Sequence, residues 1–86
     1  MSKSAVEQLL ARRLGTRIAH LRVQKSLSQE ALAQQVGIST NHLQLLESGL
    51  SDRTKRSPAN PRLSTLVALS DALGVPLPEL LQESSE

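Results

Sequence analysis

The side chains best suited to chemistry in this chain lie close together in Ser39-Thr40-Asn41-His42-Leu43-Gln44-Leu45. They are two hydroxyls, two amides and an imidazole, groups that exchange hydrogen bonds rather than break covalent bonds. An asparagine amide can pair bidentately with adenine N6 and N7, and a threonine can bond a base or set its methyl against thymine. The chain is poorly supplied for bond-making. It has no cysteine, hence no thiolate nucleophile and no thiolate metal site. Ser, His and Asp are present, but without a nucleophile elbow or a glycine-rich phosphate loop. His20 and His42 are far apart in sequence, with no carboxylate or thiol spaced to complete a metal site. Neither an enzyme nor a cofactor is expected.

Two short helices must position those residues. Leu32 and Val36 fall on one face of the first, with small Ala33 beside them where a second helix can approach. Ser28 can cap that helix; Ala31 at the third helical position leaves the reciprocal box absent. Gly37 supplies the left-handed residue that ends it. Ile38 packs into the junction, and Ser39 can cap the next helix. Leu43 and Leu46 face inward there, so Ser39, Thr40, Asn41, Gln44 and Leu45 project outward at 100° per residue, with His42 to the side. This is the spacing of a helix-turn-helix, whose second helix lies in the major groove of DNA.

The remaining elements follow from periodicity. Ser4-Ala-Val-Glu7 predicts a capping box and a helix from near Ala5, continuous through Gly15 to about Gln24, with Leu10, Leu14, Ile18 and Leu21 on one face. Leu50 to Pro61 predicts a loop without regular structure. Leu63 to Leu73 predicts a fourth helix with Leu63, Leu66, Leu69 and Leu73 inward, ended by Gly74; Leu77 to about Gln82 predicts a fifth.

Eighty-six residues suit one domain and leave no room for a second that senses a small ligand. With no Phe, Tyr or Trp, the core must be aliphatic, and base stacking on single strands is unavailable. No apolar run approaches the ~20 residues of a membrane span and no signal peptide opens the chain, so a cytoplasmic protein is expected. The net charge of +2 is unevenly spread. Lys3, Arg12, Arg13, Arg17, Arg22 and Lys25 precede a segment, 26–52, without Lys or Arg; Arg53, Lys55, Arg56 and Arg62 follow it. Cations on phosphates beside neutral groups on bases is a pattern of DNA readers.

The strings LGTRIAHLR, LSQEALAQQVGIS, LLESG and LSTLVALSDALGVPLPELL, in that order between Leu14 and Leu81, resemble the XRE family of phage Cro and repressor-type DNA-binding domains. The resemblance implies an all-α, compact five-helix lambda-repressor-like domain over 14–82, preceded by a helical extension, 1–13, and followed by a frayed tail, 83–86. It implies a phosphate contact from Gln29 and base contacts from Thr40, Asn41 and Leu45, with Gln44 nearby. Leu45 departs from the polar residue often found there; it either meets a thymine methyl or packs the domain. His42 either reaches a phosphate or stays exposed. Arg22 and Glu47 match a buried ion pair that holds the recognition helix. Arg53, Lys55 and Arg56 match basic residues along the DNA backbone.

One recognition helix covers few base pairs, so a homodimer on an inverted repeat is expected, with Leu77, Leu80 and Leu81 as candidate contacts. The implied function is a double-stranded-DNA-binding transcription regulator, most simply a repressor. The alternative is an antitoxin or similar module of the same fold that binds a partner protein and represses its own promoter.

Overall fold

The computed structural model describes residues 3–52, 54 and 57–82, with side chains from residue 5 onward. Helix α1, Lys3–Gln24, is followed by α2, Gln29–Val36, and α3, Thr40–Glu47. A two-stranded antiparallel ribbon, β1 (Leu50–Asp52) and β2 (Ser57–Pro58), leads to α4, Leu63–Leu73, and α5, Leu77–Leu80.

Five helices and an unbroken α1 agree with expectation. Three details differ. First, α1 begins at Lys3, two residues early, so Ser4 lies inside the helix, where an N-cap residue cannot sit. Second, the segment expected to be irregular carries the ribbon. Leu50 pairs with Pro58 and Asp52 with Ser57, with a bulge between, and the Ala59 N–H donates to the Gly49 carbonyl at 2.9 Å. Pro58 offers no N–H, which a two-stranded ribbon tolerates because every strand is an edge. The ribbon owes its order to support, β1 on α3 and β2 on α1. Third, α5 ends at Leu80, before Gln82.

Leu14, Ile18 and Leu21 of α1 meet Leu32 and Ala33 of α2, Leu43 and Leu46 of α3, Leu69 and Leu73 of α4 and Leu80 of α5 in one aliphatic core. Leu63, expected inward, is 68% exposed. It is the first residue of α4 and is not among the side chains packed on the core.

Two glycines let α1 cross the end of α3. A Cβ on Gly15 would lie 2.6 Å from the Glu47 carbonyl oxygen and closer still to that of Leu46. Just beyond α3, Gly49 takes φ 76° and packs on the backbone of Ala11 and Arg12. The glycine inside α1 therefore marks a helix crossing. Arg17 ties α1 to α5, its Nε donating to the Glu79 carbonyl at 3.2 Å.

Candidate nucleic-acid interface

Local rules place α2 and α3. Ser28 Oγ accepts from the Ala31 N–H at 3.0 Å. Gly37, at φ 85°, reverses the chain, and its N–H and that of Ile38 both donate to the Ala33 carbonyl. Ser39 Oγ then accepts from the His42 N–H at 3.0 Å. Both caps and the left-handed glycine stand where the sequence puts them. Leu43 and Leu46 are buried, which turns the opposite face of α3 outward.

On that face Asn41 is exposed, and its amide has no partner among the described residues. Ser39 is exposed beside it; Thr40 and Gln44 are half-buried. Leu45 is half-buried but is not among the side chains packed on the core. His42 is exposed and lines a small crevice with Leu46, Leu50, Ser51, Ala59, Asn60 and Pro61, beside the ribbon. Arg53, Lys55 and Arg56, expected along the DNA backbone, lie outside the described residues.

The ion pair implied by the resemblance is present. Arg22 Nε donates to Glu47 Oε2 at 2.7 Å and Nη2 to Oε1 at 3.2 Å. The side chains are 16% and 7% exposed. The third guanidinium nitrogen, Nη1, donates to the Leu27 carbonyl at 2.8 Å, securing the turn after α1 in which Ser26 takes φ 58°. All three nitrogens of the fork are thus engaged, an arrangement a lysine ammonium cannot copy.

Sequence reasoning missed a third member. Gln29 Nε2 donates to Glu47 Oε1 at 2.8 Å, so part of the side chain expected on a phosphate is engaged within the protein. A primary amide carries two N–H donors; one is used here. The only sequence signal was the polar residue opening α2, which a backbone contact explains equally well.

The surface also carries an apolar groove of about 210 Å³. Leu10, Ala11 and Leu14 of α1, Ala59 and Pro61, Leu66 of α4 and Leu81 line it, with Glu7 and Asn60 at its edge. Of the expected contacts Leu77, Leu80 and Leu81, only Leu81 is exposed, at 44%; Leu80 is fully buried and Leu77 packs on the core. Among the described residues no helix is long and apolar enough to cross a membrane.

No match to this chain was found among curated proteins. Solved structures do resemble it. A hypothetical transcription factor, NHTF, from Neisseria is 34% identical, with a TM-score of 0.73, over 90% of this chain and 78% of that one. The restriction-modification controller protein C.AhdI from Aeromonas hydrophila is 30% identical, with a TM-score of 0.67, over 81% and 94%. The N-terminal DNA-binding domain of SinR from Bacillus subtilis is 29% identical, with a TM-score of 0.69, over 87% and 99%. SinR, a master regulator for biofilm formation, is also known in complex with DNA. The fold is that of helix-turn-helix transcription regulators. The helix-turn-helix domain family matches residues 13–83, most of the chain, and the protein belongs to that family, in its XRE, phage Cro and repressor-type branch.

Proposed function

We propose that this protein is a sequence-specific regulator of transcription that binds double-stranded DNA, acts as a repressor and uses no catalytic chemistry. The observation that carries the reading is the outer face of α3: an Asn41 amide without a partner among the described residues, on a helix held from behind by Leu43, Leu46 and Glu47. In this reading α3 enters the major groove. Asn41 pairs with adenine, Thr40 bonds the adjacent base, and Leu45 meets a thymine methyl, a role favoured by its absence from the core. Ser39, His42 and Gln44 flank them. Gln29 offers its second N–H to a phosphate, and Arg53, Lys55 and Arg56 supply further cations to the backbone. The similarity to SinR, known in complex with DNA, supports this assignment.

Selection of random duplexes by the purified protein at near-physiological salt tests it. Enrichment of an inverted repeat is expected; binding to no duplex even at low salt overturns it and favours a protein-interaction module. On the selected site, Asn41→Ala removes discrimination at one base pair by about 1–3 kcal/mol and leaves other positions unchanged. Competition titrations with single-base variants measure this, and an equal loss at every position contradicts the assignment.

Within the same reading the protein acts as a homodimer, and the partner copy covers the apolar groove. Leu10, 41% exposed, and Leu81 line it, and Leu63 and Val67 are also exposed on α4. The segment before the matched domain contributes Leu10 from α1. The molecule measures 35 × 30 × 23 Å, so two copies side by side can set recognition helices about 34 Å apart, one turn of DNA. Burying one leucine contributes about 1.5–3 kcal/mol, so Leu81→Lys or Leu10→Lys weakens the dimer about tenfold or more. Each monomer stays folded, because substitutions at exposed sites change stability little. Sedimentation equilibrium checks this; an unchanged dissociation constant places the interface elsewhere.

A further inference from the structure

The Gln29–Glu47 hydrogen bond joins two ends of the recognition motif that are otherwise separate. Gln29 is the first residue of α2 and Glu47 the last of α3. At the opposite ends, α2 and α3 are joined covalently through Gly37, Ile38 and Ser39. The pair is therefore pinned twice, by the turn at one end and by this bond at the other. Leu43, Leu46 and the Arg22–Glu47 pair hold α3 to the core; without the Gln29 bond its last turn is no longer tied to α2, and small rotations of α3 about Gly37–Ser39 carry its outward side chains with them. The Glu47 carboxylate has the capacity for both neighbours, since an ionised carboxylate offers about four acceptor sites. Arg22 of α1 uses two N–H groups at 2.7 and 3.2 Å, and Gln29 of α2 adds a third at 2.8 Å. Glu47 is thus the point where three helices meet.

We propose that Gln29 is a positioning residue for the recognition helix: its bond to Glu47 sets the aim of α3, so base discrimination by Asn41 depends on a side chain that touches no base. This rests on the DNA-binding reading above and goes beyond the phosphate contact that the resemblance implied. A phosphate contact by itself acts on every duplex alike. A pin on α3 acts on the difference between duplexes. Both roles fit one amide, one N–H inward and one outward, so that backbone contact and base readout share a residue.

Gln29→Met tests this, since it keeps the length of the side chain and removes the donor. Arg22 still pairs with Glu47, so the fold is retained. Discrimination at the base pair assigned to Asn41 falls roughly tenfold, and adding Asn41→Ala to Gln29→Met costs little more at that position, because coupled residues are non-additive. A uniform loss on all duplexes, with the salt slope reduced by about one and discrimination intact, leaves only a phosphate contact and overturns the proposal. A second measurement needs no DNA. In the free protein, amide hydrogen exchange in α3 becomes several-fold faster in Gln29→Met, while exchange in α4 is unchanged, because loss of the pin opens α3 locally. Unchanged exchange in α3 overturns the pin. If the unmutated protein selects no sequence at all, the regulator reading fails, and the exchange result alone decides whether Gln29 holds α3.

Discussion

Gly15→Ala lowers stability by about 2–3 kcal/mol, although helix propensity alone predicts a gain of ~1 kcal/mol from the same change. The new methyl would sit 2.6 Å from the Glu47 carbonyl oxygen, and closer to that of Leu46. Both obstacles are backbone, so no rotamer change relieves them. The cost is met by moving α1 away from the last turn of α3, which opens the core at Leu14, Ile18, Leu43 and Leu46. For a domain of this size each kcal/mol shifts Tm by roughly 4–8 °C, so a drop of about 10–20 °C is expected. Thermal and urea unfolding measure it. A higher Tm would show that propensity wins and that the crossing has slack. The displaced turn also carries Glu47, so on the proposed function DNA binding weakens even where the protein remains folded.

Arg22→Ala costs about 3–5 kcal/mol, the range for removing one partner of a buried pair. The loss exceeds the net worth of the pair, because Glu47, 7% exposed, is left among the described residues with Gln29 as its only side-chain hydrogen-bond donor. The Leu27 carbonyl loses its donor as well. Arg22→Lys restores only part of the loss, since one ammonium cannot serve both carboxylate oxygens and that carbonyl together. Arg22→Met with Glu47→Leu recovers much of it, as paired apolar replacements of buried ion pairs generally do. On the role proposed for Gln29, the double variant nonetheless loses base discrimination, because the amide then has no carboxylate to hold. Urea unfolding of the unmutated protein, Arg22→Met, Glu47→Leu and the double variant completes the cycle. A cost below about 1 kcal/mol for Arg22→Ala would place the pair among exposed ion pairs.

How far the molecule was legible varies with the range of each signal. Ser28, Gly37, Ser39 and Gly74 act within one turn of chain. A cap hydroxyl needs an N–H three residues on, and a left-handed end needs a residue without a Cβ. Helix boundaries around the motif, its inward leucines and its outward polar face were therefore readable from the string of residues, because every interaction involved is local. The Arg22–Glu47 pair was legible only through the family resemblance, since nothing in either residue's neighbourhood names a partner 25 positions away.

Four features were decided by the tertiary structure. Gly15 reads locally as a weak spot in a helix, and only the carbonyls of Leu46 and Glu47 make it a crossing point. Leu63 fits the inward spacing of α4 but is left exposed and does not pack on the core. The ribbon at 50–58 is too short and proline-bearing to announce itself, and α1 and α3 support it. Gln29 is drawn onto Glu47 by the way α2 folds back on α3. The physical reason is common to all four. Sequence by itself determines what a residue prefers and which face of its own helix it occupies; what stands opposite that face depends on how elements tens of residues apart come together.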